Sequence, residues 1–197
     1  MIKSPIPKVT NNKQFRAIGI VFGMYKPNDN NLLNKGFIED SSGLNIDAVV
    51  LGKALPLIKK FINFENKYYW IVYPRNKNSD NIHLQIAGIW DPNNFKNNDE
   101  NIKKTHDLLL SLDLKDNLFS IRGKLIFINT QEKDLIIKIC PSRQNKNKKN
   151  KSFKILVKGE ISMKYINSFV SLEVIRKDNT LFMEKFEIIE AKASEIN

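Results

Sequence analysis

Apolar residues recur at strand spacing through the second half of the chain, and polar segments separate them into five short runs. The runs lie at 119–128, 134–140, 153–159, 169–175 and 181–189. Short runs with partial alternation of apolar and polar positions, bounded by polar turns, are typical of β-strands. Gly123 within the first run predicts a bend or a bulge, because glycine inside a strand costs packing. The pattern predicts five strands, with a short connector at 163–166 between the third and the fourth.

The first half of the chain repeats this order of elements. Its apolar runs predict five strands, at 15–25, in a hairpin spanning 36–51, at 68–74 and at 82–90. Residues 53–61 predict a short helix between the third and fourth strands, with Pro56 in its first turn, where proline is tolerated. Glycines at Gly19 and Gly23 in the first strand predict the bends that a small, tightly coiled barrel requires.

Five short bent strands with a small connector after the third are what an OB-type barrel requires. The sequence therefore predicts a mainly β protein with two tandem OB-like five-stranded barrels, joined by a loop and one amphipathic helix. The shared order of the halves indicates a degenerate internal duplication. The alternative is that any two five-stranded halves look alike at the level of pattern.

Polar segments set the predicted domain boundaries. Residues 101–112 predict the amphipathic helix, because Ile102, His106 and Leu109 recur at helical spacing. The predicted order is a flexible N-terminal arm at 1–14, a first OB-like module at 15–95, a linker with the helix at 96–114, a second OB-like module at 115–190 and a C-terminal tail at 191–197.

The net charge is +11, and residues 115–197 carry 17 basic and 10 acidic side chains. Such an excess predicts a polyanionic partner, which includes nucleic acid, an acidic protein or an anionic membrane surface. The alternative is that the charge serves solubility. The many lysines and asparagines also reflect the base composition of an AT-rich genome, so single residues of these types carry little weight.

Several classes of protein and site are disfavoured by the sequence. A single cysteine, Cys140, excludes an internal disulfide and a cysteine-rich zinc site. The two histidines lack metal-ligand spacing, and the carboxylates form no acid–base pair, so we expect no metal, no cofactor and no catalytic residue. Neither a signal peptide nor a membrane-spanning run of about 18 apolar residues is present in the pattern. We therefore expect a cytoplasmic protein that does not insert into membranes.

A basic segment after Pro141 is the strongest local signal for binding. It joins the second and third strands of the second module, and in OB folds that connection borders the binding face. Lysines there would bind phosphate without sequence preference, since an ammonium group is a point charge. The predicted phosphate contacts, which include neighbouring strand residues, are Arg122, Lys124, Arg143, Lys146, Lys148, Lys149, Lys151 and Lys154. A solvated loop rich in lysine because of genome composition is the alternative.

An aromatic cluster at 68–73 is the second signal. In a strand, Tyr69 and Tyr73 share one face, and Tyr68 and Trp70 share the other. Only one face can line a small barrel, so an outward pair beside Arg75 predicts a platform on which bases stack. The alternative is that the linker helix or the second module covers this face. We expect one face to be buried and Tyr73, which is nearest to Arg75, to be exposed.

Three segments together resemble an uncharacterised family of conserved cyanobacterial proteins. They are Val-Tyr-Pro-Arg at 72–75, Leu-Gln-Ile-Ala-Gly-Ile-Trp-Asp-Pro at 84–92 and Phe-Ser-Ile-Arg-Gly at 119–123. The resemblance covers nearly the whole chain and implies no activity. The second half is also similar to OB-fold proteins, which often bind single-stranded nucleic acid or other protein subunits, although fold does not imply function.

These observations predict a non-enzymatic nucleic-acid-binding protein that takes RNA or single-stranded DNA with low sequence specificity. Binding would use the basic loop, with stacking on the aromatics of the first module. The alternative is a protein–protein interaction subunit, in which the two barrels act as adaptors in a larger assembly.

Overall fold

The computed structural model describes residues 3–29, 31–76, 81–92, 99–140 and 151–191. The first part of the chain forms β1 (Arg16–Pro27), β2 (Lys35–Asp40), β3 (Asn45–Val50), α1 (Leu55–Phe61), β4 (Tyr68–Asn76) and β5 (Ile82–Trp90). Helix α2 (Asp99–Ser111) follows. The second part forms β6 (Leu118–Asn129), β7 (Asp134–Ile139), β8 (Phe153–Lys158), a 3-10 turn (Met163–Tyr165), β9 (Phe169–Lys177) and β10 (Thr180–Glu190).

The first five strands close into a barrel. Their order is β2-β3-β5-β4-β1, and an additional pairing of β1 with β2 closes the ring. Strands β3 and β5 run parallel, whereas β1 is antiparallel to both β2 and β4. Helix α1 lies in sequence between β3 and β4, where an OB-type barrel carries its connecting helix.

The last five strands close in the same cyclic order. Their order is β6-β7-β8-β10-β9, and β6 also pairs with β9. The parallel pair is β8 with β10, and the 3-10 turn takes the place that α1 has in the first barrel. The prediction of a mainly β protein with two OB-type barrels is confirmed. Because all OB barrels share this order, the duplication stays a prediction.

Each barrel has its own apolar core. In the first barrel Trp70 is fully buried, with its ring 5.9 Å from Tyr25 and 5.8 Å from Tyr68. Its indole Nε1 donates to the carbonyl oxygen of Gly23 at 2.9 Å, so the buried N–H is satisfied. The core of the second barrel is mainly aliphatic and includes Ile121, Leu125, Leu135, Ile137, Ile155, Val157, Leu172 and Val174.

By their contacts the described residues divide into two compact units. The described residues within 1–7, 18–75 and 82–118 form the first unit, and those within 8–17, 76–81 and 119–197 form the second. Helix α2, which the sequence assigns to a linker, therefore belongs to the first unit. The segment interpreted as an N-terminal arm contributes to both units, and Ile6 is buried in the first.

In each barrel a glycine of the first strand lies close against the backbone of the second strand. A Cβ atom at Gly23 would collide with the carbonyl oxygen of Glu39, and one at Gly123 with the carbonyl oxygen of Lys138. The obstacle in both cases is backbone, which cannot move aside as a flexible side chain can. The first strand of each barrel therefore needs a residue without a side chain at this point.

We expect Gly123→Ala to lower the free energy of unfolding by roughly 1–3 kcal/mol, because the added methyl group overpacks the β6–β7 contact. The measurement is the urea midpoint. Gly52→Ala is the matched control, since a Cβ at Gly52 meets nothing within 4 Å, and its midpoint should stay close to that of the parent. Equal midpoints for the two variants would contradict the close approach.

Candidate nucleic-acid interface

Three lysines lie side by side on the outer face of β6, β7 and β8. In the strand register Lys124 pairs with Lys138, and Lys138 pairs with Lys154. The alternation of β7 explains this placement, because Leu135, Ile137 and Ile139 point into the core and Lys138 points outward. Residues directly opposite each other have Cβ atoms about 4.5–5.5 Å apart. We call Lys124, Lys138 and Lys154 the lysine row.

The lysine row concentrates positive charge at adjacent positions of the sheet. Like charges directly opposite each other in a sheet repel and destabilise it. Within the part of the chain that the structure describes, none of the three ammonium groups forms an ion pair with a carboxylate. The nearby Asp134 is engaged by Lys158, whose Nζ lies 2.6 Å from its Oδ1. The arrangement is electrostatically suited to an anion that bridges several positions.

The predicted basic loop begins and ends beside this row. The last paired residues of the β7–β8 hairpin are Ile139 and Phe153, each one residue beyond a row lysine. Lys151, just before β8, is exposed. The other predicted cations of the loop, Arg143, Lys146, Lys148 and Lys149, lie outside the described residues.

A β-bulge in β6 places an aromatic ring beside the lysine row. The register passes from Leu125 opposite Ile137 directly to Phe127 opposite Ile136, so Ile126 is an extra residue. A bulge reverses the alternation that follows it, and Phe127 therefore points outward with 46% of its surface exposed. Ile136 pairs onward with Leu156 on β8. We call Phe127, Ile136 and Leu156 the apolar row; it is the next outward-facing row along the strands.

Arg122 was expected to contact phosphate, and the structure contradicts this expectation. It is 5% exposed, its Nη2 donates to the carbonyl oxygen of Asn12 at 2.6 Å, and its guanidinium carbon lies 6.0 Å from the centre of the Phe169 ring. Arg122 instead bonds to the backbone of the segment at 8–17, in which Lys13 also forms an exposed ion pair of 2.6 Å with Glu190.

Tyr69 lies in an apolar cluster of the first unit and presents no free ring face. It is 4% exposed, with its ring 4.7 Å from Phe22 and 5.9 Å from Trp90. Its hydroxyl oxygen lies 2.7 Å from Nδ1 of His106, on α2, and Leu109 of α2 joins the same cluster. Burial, and secondarily the charge of Asp116, raises the pKa of the Tyr69 hydroxyl. The predicted stacking surface at Tyr69 is thus occupied by the helix.

Tyr73 and Arg75 lie at the margin of this cluster. Tyr73 is partly buried and packs against it, so the expected full exposure is absent. Arg75 is half-buried, donates from Nη1 to the carbonyl oxygen of Pro74 at 2.8 Å and has a pKa lowered by burial. The alternative that the helix covers the second face of β4 is the one that the structure shows.

Comparison with protein-family models assigns a domain to each barrel. Residues 17–97 match the model described as the PatR RNA-binding protein, N-terminal OB-fold domain. Residues 121–190 match the model described as the cyanobacterial OB-fold-like RNA-binding domain, C-terminal. The two matches together span most of the chain. These matches bear out the resemblance to a conserved cyanobacterial family with OB folds. None of the curated proteins compared with it matches.

The N-terminal OB domain does not repeat the lysine row. On the corresponding face of β1, β2 and β3, Lys26 pairs with Phe37, which pairs with Asp47. The Nζ of Lys26 also lies 2.5 Å from Oε2 of Glu39. Charges of both signs are therefore mixed on this face. Of the two OB domains, only the C-terminal one has three lysines at adjacent positions of this face among the described residues.

Two residues of the candidate site were not predicted. Lys138 was recoverable from the sequence, because the alternation at 134–139 turns it outward. Phe127 was not recoverable from the sequence. Simple alternation from Lys124 turns position 127 inward, and only the bulge turns it outward. Lys124, Lys151 and Lys154 are the predicted contacts that the structure shows exposed on the C-terminal OB domain.

The described residues offer no group of three or more histidine, cysteine or carboxylate side chains arranged to hold a metal ion. Neither helix in the described ranges is long and apolar enough to cross a membrane.

We expect Tyr69→Ala to lower the free energy of unfolding by roughly 3–5 kcal/mol, the usual cost of truncating a core aromatic. Tyr69→Phe should cost only about 1 kcal/mol, because it removes the hydroxyl contact with His106 and keeps the ring. Chemical denaturation followed by circular dichroism measures both. A Tyr69→Ala variant as stable as the parent would show that α2 does not depend on this ring.

Proposed function

We propose that the chain is a non-enzymatic RNA-binding protein whose C-terminal OB domain holds the sugar–phosphate backbone on the lysine row. The observation that carries the proposal is the set of three adjacent, exposed or half-exposed lysines without an ion-pair partner among the described residues. The RNA-binding descriptions of both matching family models support the same partner.

Low sequence specificity follows from the chemistry of the row. Lysine ammonium groups act as point charges with freely rotating donors, and contacts to phosphate carry no direct sequence information. The same contacts do not read the 2′-hydroxyl that distinguishes RNA from DNA. The proposal therefore covers RNA and single-stranded DNA, with RNA favoured by the family descriptions.

The basic loop extends the proposed site. It includes Lys151 beside the row and the cations Arg143, Lys146, Lys148 and Lys149, because the loop starts and ends next to Lys138 and Lys154 in the hairpin. Arg122 and Tyr69 are left out because they are buried. Tyr73 and Arg75 belong to the other unit and are partly buried.

A second candidate is a protein-interaction subunit. Strand β10 exposes two phenylalanines, Phe182 at 38% and Phe186 at 44% of their surface. Aromatic side chains are enriched where proteins meet. This hypothesis predicts a protein partner that binds on β10 and no measurable affinity for RNA.

We expect replacement of the lysine row by glutamine, in Lys124→Gln, Lys138→Gln and Lys154→Gln together, to weaken RNA binding. Each phosphate neutralised on a single strand contributes a slope of roughly −0.7 in log K against log salt, so the salt dependence should flatten by about 2. Stability should hold or rise slightly, because the substitution removes like charges that face one another. Fluorescence anisotropy with labelled RNA at several salt concentrations measures the first effect, and urea unfolding measures the second.

The matched control removes three exposed lysines around α1, with Lys53→Gln, Lys59→Gln and Lys60→Gln. It changes the net charge equally, so its affinity should exceed that of the row variant at every salt concentration. Equal losses of RNA affinity in the two variants would show that the overall charge, and not the position of the lysines, determines binding. If the parent protein binds no RNA even at low salt, the protein-interaction reading replaces the proposal.

A further inference from the structure

The apolar row beside the lysines is unusual for a strand face that meets solvent. Phe127 is 46% exposed in the interior of β6, and the other two members of the row, Ile136 and Leu156, are half-buried. Ile136 lies opposite Phe127 on β7, and Leu156 lies opposite Ile136 on β8. The ring therefore stands next to an aliphatic side chain in the sheet and keeps a large accessible surface.

We propose that Phe127 stacks on a base of a single-stranded RNA whose phosphates lie on the lysine row. This inference rests on the proposed function and adds a base-contacting subsite to it. Along β7 the two rows are separated by the step from Lys138 to Ile136, which is about 7 Å at strand spacing. A phosphate on a lysine and the base of the same or the next nucleotide on Phe127 fit within that separation.

The subsite restricts the ligand to unpaired nucleotides. In a duplex the faces of each base are covered by the neighbouring base pairs, whereas an unstacked base offers its face to an aromatic ring. Stacking on a side chain is tolerant of sequence because every base has a π-face. A phenylalanine ring beside the lysine row thus combines single-strand preference with the low specificity of the row.

The charge of the surroundings favours RNA over an apolar protein partner on this ring. Lys124, Lys138 and Lys154 lie on one side of the apolar row. On the other side the register places Asp134 opposite Lys158, whose Nζ lies 2.6 Å from its Oδ1. This ion pair offsets the repulsion that the carboxylate would otherwise exert on the phosphate that accompanies a base.

The experiment compares the parent with Phe127→Ala, using labelled single-stranded oligouridine, and inorganic polyphosphate as a probe that carries phosphates but no bases. Phe127→Ala should weaken oligouridine binding by about fivefold to a hundredfold, the usual effect of losing one stacked base. Its affinity for polyphosphate should match that of the parent. Phe186→Ala is the matched control, since Phe186 is equally exposed, at 44%, on β10 of the same domain, and it should change neither affinity.

Two further variants keep the result interpretable. Phe127→Trp should retain oligouridine binding, and its new indole fluorescence should be quenched by the RNA. Phe127→Leu retains an apolar side chain without a π-face, so it should bind oligouridine as poorly as Phe127→Ala. Thermal unfolding of each variant reports whether the domain remains folded.

The outcomes separate the two proposals. Loss of oligouridine binding in the lysine-row variant with full binding in Phe127→Ala would overturn the stacking subsite and leave the proposed function in place. Wild-type binding by Phe127→Leu would show apolar contact rather than stacking and would also overturn it. Absence of binding to either probe by the parent would overturn both. Dimerisation of the parent that Phe127→Ala abolishes would assign the ring to a second copy of the chain instead.

Discussion

The double pairing of the first strand is the constraint on which each OB domain depends. Strand β1 pairs with both β2 and β4, and β6 pairs with both β7 and β9. A strand with two partners on a small barrel must coil strongly, and the coil brings its backbone against the next strand at Gly23 or Gly123. These positions lack a side chain because the facing carbonyl oxygen occupies the space that a Cβ would need.

The candidate interface is a consequence of the same coiling. In β6 the tight crossing at Gly123 is followed at once by Lys124 and then by the bulge at Ile126. Bulges increase local twist and bend the strand, so the feature that helps close the barrel also turns Phe127 outward. Structure and candidate function meet here in one irregularity of the register, because the bulge at Ile126 reverses the alternation and exposes the aromatic ring.

The sequence predicted the strands well because alternation is a local signal that burial enforces on every strand. It also named Lys124 and Lys154 as phosphate contacts, and both are exposed. The prediction failed where the burial of a residue depends on a segment that is distant in sequence and has no periodic apolar pattern. The segment that bonds to Arg122 is polar at Asn11, Asn12 and Lys13, so its local pattern does not predict that it packs on a barrel. The sequence also did not show that α2 packs on Tyr69. An amphipathic pattern indicates that a helix covers an apolar surface, but it does not indicate which one.

Repulsion within the lysine row lowers the free energy of unfolding, and the folded protein tolerates this loss only if it is small. Two unit charges 4 Å apart in water interact by about 1 kcal/mol, and salt at physiological strength screens exposed charges further. Two adjacent pairs therefore cost the folded protein roughly 1–2 kcal/mol, which is tolerable against a typical stability of about 5–15 kcal/mol. A bound polyanion would reverse the sign of this contribution, because each ammonium would then face a phosphate as well as another ammonium.

In the N-terminal OB domain the Nζ of Lys26 already lies 2.5 Å from Oε2 of Glu39, so a phosphate there would compete with a neutralising partner instead of relieving repulsion. The asymmetry between the two faces thus places the larger electrostatic gain on the C-terminal OB domain.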